Sequence, residues 1–188
     1  MNFYSGDQIE YSLYSIWFPN FRRIAEMFSN TTIVAIQCVL LIAKIQKDKP
    51  IPHETLSQHI DISASYLSKI LTTLVKSGIL IAHRGPSGGF TLSTPPELIT
   101  LLDIVEACEG KILGDYCSDT NDLEKVCNYH RAMLEVRTSL IKTLKKWDVK
   151  RLLEKPLPHK DIYDKVNCKM KCLNTERKNY ITPTRNFK

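Results

Sequence analysis

The chain has 188 residues, of which 43% are hydrophobic and 24% charged, a balance typical of a globular protein with its own apolar core. It contains no run of eighteen or more apolar residues, so we predict that no segment spans a membrane. The first ten residues lack the basic start and apolar run of a secretion signal. We therefore expect a cytoplasmic protein whose six cysteines are thiols or metal ligands rather than disulfides.

The net charge of +6 is concentrated at one end of the chain. Residues 150–188 carry eleven Lys or Arg and four Asp or Glu, whereas residues 1–149 carry fifteen and sixteen. Two interpretations of this basic tail stay open. It is either a solvated tail or an arm that contacts phosphates and adds salt-dependent affinity for nucleic acid.

The first elements are an N-terminal extension and a buried helix. Residues 1–28 contain eight aromatic side chains, and we expect this extension to pack on another surface such as a partner subunit. Asn30 or Thr31 is predicted to cap a helix that runs to about Lys47. The apolar residues of this helix fall on most of its sides, which indicates burial.

Two helices and a hairpin follow. A short helix is predicted over residues 53–60, and after a three-residue turn a longer one over 64–77 has apolar residues spaced i, i+3, i+4, i+7, i+8. Gly78 stands where a helix end needs a left-handed residue. Residues 79–92 then predict a strand, a Gly-rich tip and a second strand.

This order of elements is the plan of a winged helix-turn-helix protein. The second helix of such a pair enters the major groove of DNA, about 12 Å wide, and presents its N-terminal side chains to base edges. The polar side chains at this tip, which are the candidates for DNA contact, are Ser63, Ser65, Tyr66, Ser68 and Lys69. For Ser63, capping of the helix is an equal alternative to DNA contact. For the other four, the alternative is a surface position without a role in binding.

The second half of the chain predicts two more helices. Thr100 and Asp103 form a capping-box pattern for a helix through about Glu109. A long helix from Glu124 or Cys127 to Trp147 follows. Its apolar residues make a heptad-like seam that is too short for a free coiled coil and favours a packed dimer helix. The seam consists of Met133, Val136, Leu140, Leu144 and Trp147.

Two stretches of the chain resemble the Rrf2 family of bacterial transcription regulators. They are ISASYLSKILTTLVKSGIL and HRGPSGGFTLSTPPELITLLDIVEACEG, of which the RGP-x-GG-[YF]-x-L wing motif is the most specific part. The resemblance covers about residues 33–110. It implies a mainly α fold with a β-hairpin wing and a homodimer on palindromic operator DNA, with long C-terminal helices crossing between subunits. Together with the composition of the two ends, the expected division is 1–28 extension, 29–97 DNA-binding domain, 98–150 sensor loop and dimer helices, and 151–188 basic tail.

The resemblance also implies contacts with DNA from the wing and from the recognition helix. By this resemblance, Ser65 and Tyr66 are expected to contact DNA from the recognition helix, and the wing is expected to lie in the minor groove. A narrow minor groove attracts Arg. Several relatives have Glu at the position of Ser68, and a hydroxyl is less selective than a carboxylate, which prefers cytosine N4. The wing residues are Arg84, Gly85, Pro86, Ser87, Gly88 and Gly89.

Many members of the family hold an iron–sulfur cluster on a three-cysteine loop after the EG motif. Here Cys117 and Cys127 occupy the outer two cysteine places, His130 completes a C-x-x-H pattern, and the middle cysteine is missing. Thiolate and imidazole are both suitable ligands of a [2Fe–2S] cluster. A fourth ligand must come from elsewhere, and Glu10 of the extension is one candidate. Cys38 and Cys108 are two more, although both fall on apolar helix faces, where a buried inert thiol is expected.

The functional prediction is a sequence-specific DNA-binding regulator, a repressor, that responds to redox state, nitric oxide or cluster status. The alternative is a cluster-free regulator of the same family, controlled by thiol oxidation or by a bound protein such as an enzyme of cysteine synthesis. An enzymatic function has little support. The chain has no Gly-rich nucleotide loop and no H-E-x-x-H motif.

Overall fold

The computed structural model describes residues 27–46, 49–112, 124–163, 165–166 and 168–175. The described residues are mainly helical, with a two-stranded antiparallel hairpin. The helices are α1 (Asn30–Ile45), α2 (His53–Ile60), α3 (Ala64–Lys76), α4 (Leu101–Glu109), α5 (Asn128–Lys146) and α6 (Val149–Glu154), and the strands are β1 (Leu80–His83) and β2 (Gly89–Leu92). Among these residues, none of the helices is both long and apolar enough to cross a bilayer.

Helix α1 is the centre of the core, as its apolar sequence predicts. Nine of its sixteen residues are buried. The predicted N-caps, Asn30 and Thr31, are wrong: Ser29 is the cap, and its side chain accepts a hydrogen bond from the backbone N–H of Thr32. The carboxylate of Glu109 favours Ser29 as the cap, because it accepts a hydrogen bond from the backbone N–H of this residue at 2.9 Å.

Helices α2 and α3 form the predicted helix-turn-helix. Asp61 ends α2 in a left-handed conformation with φ 61°, and Ser63 caps α3 by accepting from the backbone N–H of Tyr66 at 3.4 Å. Gly78 after α3 has φ 77°, the left-handed conformation predicted for it. The apolar face of α3 is fully buried through Leu67, Ile70, Leu71 and Leu74.

The hairpin is joined to the start of the helix-turn-helix. Leu80 pairs with Leu92 and His83 with Gly89. The first strand therefore begins one residue later than the predicted Ile79 and the second one residue earlier than the predicted Phe90, and the tip spans residues 84–88. Ile51 exchanges two backbone hydrogen bonds with Phe90, both 2.9 Å long. This bridge holds the wing against the segment that leads into α2.

In the second half of the chain, α5 packs on α4 and α6 packs on α1. The capping box of Thr100 and Asp103 is present as predicted. Helix α5 begins at Asn128 with Cys127 as its N-cap, and Trp147 lies just beyond its end. In the predicted seam only Leu144 is buried, where it packs on α4.

The described part of the basic tail folds back on the core. Residues Lys169–Leu173 form a short 3-10 turn, and Leu173 is fully buried. Lys44 of α1 donates to the carbonyl oxygen of Leu173 at 2.7 Å, and the Gln37 side chain donates to the carbonyl of Lys169. This segment is therefore part of the fold, whereas the sequence pattern suggested a solvated tail or a free arm.

Candidate nucleic-acid interface

The N-terminal tip of α3 presents short polar side chains to solvent. Ser63, Ser65, Ser68 and Lys69 are all exposed. They are exposed because the apolar residues of α3 occupy the opposite face of the helix, against α1 and α4. Such a surface can enter a groove closely, since serine hydroxyls are small and can donate or accept hydrogen bonds.

Tyr66 is placed differently from its neighbours. Its ring is half-buried against the core, and its hydroxyl is hydrogen-bonded to the Thr31 side chain at 3.0 Å. The contact ties the tip of α3 to the start of α1. A phenol oxygen both donates and accepts, so contact with DNA from the remaining hydrogen-bonding position stays a prediction.

Ser68 is part of a hydrogen-bonded chain that connects α3 with α2. Its hydroxyl donates to the carbonyl oxygen of Ala64 at 2.9 Å and lies 3.0 Å from Nε2 of His53. A hydroxyl has one proton, so the ring of His53 must donate at Nε2 and Ser68 must accept. His53 was not among the residues that the sequence pattern indicated. The one available signal was its position at the start of α2, the helix that crosses the DNA backbone in this plan.

The tip of the wing is a tight glycine turn with exposed side chains. Residues 84–87 are exposed, and the backbone N–H of Gly88 donates to the carbonyl of Gly85 at 2.9 Å. A Cβ on Gly88 would lie 2.9 Å from that same oxygen and closer still to the carbonyl of His83. A Cβ on Gly89 would collide with the carbonyl of Ile51. The two glycines are thus needed for the shape of the wing itself.

An open cavity of about 550 Å³ lies between the wing and the start of α2. His53 and Glu54 line it from α2, and His83 with the glycines of the tip lines it from the hairpin. His83 is exposed and its Nε2 lies 2.9 Å from the hydroxyl of Thr91. Two imidazoles therefore line one cavity, next to the tip of the recognition helix.

The predicted sensor residues are only partly within the described chain. Cys117 and Glu10 lie outside the described residues. Cys127 is exposed at the start of α5, and His130 is one turn later, where its Nδ1 atom is buried without a hydrogen-bond partner in the described structure. The described residues alone do not form a group of three His, Cys, Asp or Glu that could hold a metal ion.

The buried thiols and one carboxylate have shifted pKa values. Burial raises the pKa of the Cys38 thiol strongly, and burial also raises the pKa of Cys108. The Thr32 hydroxyl donates to Glu109 at 2.6 Å and, together with the backbone N–H of Ser29, lowers the pKa of that carboxyl. A raised pKa favours the neutral thiol, whereas thiolate is the form that ligates metals. The five described cysteines are all free thiols.

Residues 28–155 match the model of the Rrf2 family, described as an iron-dependent transcriptional regulator. YwgB of Bacillus subtilis is 38% identical over 77 residues, which are 41% of this chain and 49% of YwgB. The HTH-type transcriptional regulator IscR of Vibrio cholerae is 27% identical over 90 residues, 48% of this chain and 52% of IscR. The chain thus spans about half the length of these two relatives.

The fold is also similar to that of a solved regulator. The structure of CymR, the global cysteine regulator of B. subtilis, has a TM-score of 0.56 and 23% sequence identity, and covers 68% of this chain and 95% of CymR. This likeness confirms the predicted fold, which is mainly helical with a hairpin wing.

Proposed function

The chain belongs to the Rrf2 family of transcriptional regulators, which are not enzymes, and from that premise we propose that it is a dimeric repressor of palindromic operator DNA. One observation carries the proposal. The exposed tip of α3 and the exposed Arg84 tip of the wing belong to one packed unit, joined by the bridge between Ile51 and Phe90. Such a unit can place α3 in the major groove and the wing in the adjacent minor groove.

The proposed contacts with DNA differ in the part of DNA that each side chain would meet. Ser63, Ser65, Ser68 and Tyr66 are the candidates for base edges and nearby phosphates, and Lys69 is the candidate for a phosphate. Arg84 is proposed to enter the minor groove, where a narrow groove concentrates negative potential. The turn from Gly85 to Gly89 brings the backbone close to the sugar-phosphate chain.

Dimerisation is supported by the surface of α5. Val136 is 50% exposed and Trp147 39% exposed, although both belong to an apolar seam. Large apolar side chains left exposed on one side of a helix mark a candidate protein contact. A second copy of α5 would cover them and would set the distance between the two recognition helices, about one helical turn of DNA.

Binding to a duplex at several salt concentrations tests the proposal. We expect Lys69→Ala and Arg84→Ala each to weaken binding about tenfold, and loss of a phosphate contact should reduce the salt slope by about one. Lys111→Ala removes an exposed charge outside the proposed interface and should leave both quantities unchanged. Unchanged binding in the Lys69 and Arg84 variants would contradict the proposed interface.

We further propose that the start of α5 is the sensor, through Cys127, His130 and Cys117 with a [2Fe–2S] cluster. The observation in favour is the buried Nδ1 atom of His130 without a hydrogen-bond partner in the described residues, one turn from the exposed thiol of Cys127. Buried polar atoms are normally paired, so an unpaired one needs a ligand or a water. A cluster would supply a redox-sensitive charge beside the dimer helix. Glu10 remains the candidate for the fourth ligand.

An absorption spectrum of protein purified without oxygen tests the sensor. Visible bands that disappear in Cys127→Ala, Cys117→Ala and His130→Ala, but not in Cys168→Ala, would support a cluster. Colourless protein whose DNA affinity changes with peroxide would favour the cluster-free alternative. Colourless protein without such a response would favour control by a protein partner such as an enzyme of cysteine synthesis.

A further inference from the structure

We propose that His53 and His83 form an additional DNA contact, a phosphate site that is completed when these imidazoles are protonated. The proposal rests on the DNA-binding function above and adds two residues and a proton dependence to it. Both residues line the cavity between α2 and the wing. Of the five histidines in the chain, His59 is buried, while His130 and His159 lie in the second half.

The position of the cavity indicates which part of DNA would face it. If α3 lies in the major groove and the wing in the adjacent minor groove, the surface between them must face the phosphate backbone that separates the two grooves. The cavity occupies that surface, because Ser68 of α3 contacts His53 on one side and the residues of the wing tip form the other side.

Each ring uses one nitrogen in a hydrogen bond within the protein. His53 donates from Nε2 to Ser68, as required by the single hydroxyl proton of Ser68. The Nε2 atom of His83 is paired with Thr91. Within the described chain, the Nδ1 atom of neither ring has a hydrogen-bond partner. The neutral ring of His53 can therefore only accept at Nδ1, and protonation makes both nitrogens of each ring donors.

The net charge of the cavity lining depends on whether the two rings are protonated. Glu54 is the carboxylate in the lining, so with both rings neutral the lining carries one negative charge and repels a phosphate. With both rings protonated the same lining carries one positive charge. On the other packed elements, Lys69 of α3 and Arg84 of the wing are exposed cations that lie outside the lining, and they add positive charge to the proposed DNA-binding surface. A bound phosphate therefore favours the protonated form of both rings, because an anion stabilises a nearby cation.

Fluorescence anisotropy with a labelled duplex, measured at about pH 6 and about pH 8 and constant ionic strength, tests the proposal. We expect affinity about tenfold higher at the lower pH, because protonation adds a charged hydrogen-bond donor on each ring and turns the net charge of the lining from negative to positive. His53→Gln and His83→Gln keep a side-chain donor for Ser68 and Thr91 but cannot ionise. Each should remove part of the pH dependence, and the double variant should remove nearly all of it.

A matched control and a second measurement separate the outcomes. His159 is an exposed histidine of the tail, paired with Asp161 at 3.1 Å, and His159→Gln should keep the full pH dependence. Duplex binding that is equally tight at both pH values, or a pH dependence that persists in the double variant, would overturn the phosphate site alone. Absence of duplex binding at every pH would instead overturn the proposed function. Thermal unfolding of each variant at both pH values shows whether a loss of binding reflects a loss of fold.

Discussion

Helices α3 and α5 have similar amphipathic patterns and very different surroundings. Helix α3 has thirteen residues and buries four large apolar side chains. Helix α5 has nineteen residues and buries one, Leu144. The first helix is held in place by its own chain on three sides, since it packs on α1, α2 and α4. The second leaves Val136 and Trp147 of its apolar seam exposed.

The difference indicates where the two functions of the molecule reside. A recognition helix must hold its side chains in place before DNA arrives, and dense packing provides that rigidity. A dimer helix needs a surface that is completed only by a second copy. We therefore expect the DNA-binding unit to be stable as a single chain and the position of α5 to depend on its partner.

The largest expected effect is on the stability of the unit that contains α3. Leu71 is fully buried, and Leu71→Ala should lower the free energy of unfolding by about 3 kcal/mol, through lost burial and a cavity. Val136→Ala is the matched truncation on α5, and in a monomeric sample it should change stability by less than about 0.5 kcal/mol. Chemical denaturation at low protein concentration measures both. Equal losses in the two variants would contradict the difference between the helices.

The next effect is on association. Val136→Asp introduces a charge into the exposed seam and should raise the dimer dissociation constant at least tenfold, about 1.4 kcal/mol or more. Thr138→Asp adds the same charge to the opposite side of α5 and serves as the control. Sedimentation over a range of concentrations gives both constants. A dimer that is insensitive to Val136→Asp would place the interface elsewhere.

The same contrast explains which features could be predicted from the sequence. The start of α3, its buried face and the glycine after it were predicted because each signal lies within a few residues of its effect. The N-cap of α1 was not, since Ser29, Asn30 and Thr31 are all suitable caps and the choice is made by Glu109, eighty residues away. The pairing of His53 with Ser68 also depends on the fold.

The tail shows a different limit of sequence reasoning. Residues 168–175 have no helical or strand period, so nothing in the pattern indicates that Leu173 is buried. The docking depends on backbone carbonyls of the tail that accept from Lys44 and Gln37, and every sequence has such carbonyls. The identity of the sensor ligands likewise stays a prediction, because Cys117 and Glu10 lie outside the described residues.

Helix α4 connects the two regions, and its cap is the third test. Thr100 accepts from the backbone N–H of Asp103, while the Asp103 carboxylate accepts from the backbone N–H of Thr100 at 2.7 Å. Thr100→Ala should cost about 1 kcal/mol of stability, as is usual for loss of an N-cap. Because α4 contacts both α3 and α5, we expect this loss in monomer and dimer alike. Thr143→Ala, which removes an exposed threonine from within α5, is the control.

The smallest effect concerns the other end of α4, where Glu109 binds the start of α1. The hydrogen bonds from Thr32 and Ser29 lower the pKa of this carboxyl in the folded protein. Its contribution to stability is therefore present above the pKa of an unfolded glutamate and is lost as the pH falls through the lowered folded value. The carboxylate is exposed, so solvent screening should keep the contribution of the charge below about 1 kcal/mol. Glu109→Gln retains an acceptor oxygen, and its deficit relative to the native chain should vanish in acid. A stability deficit of Glu109→Gln that is constant with pH would show that the shape of the side chain, rather than its charge, holds α1 to α4. The link between the two regions would then not depend on pH.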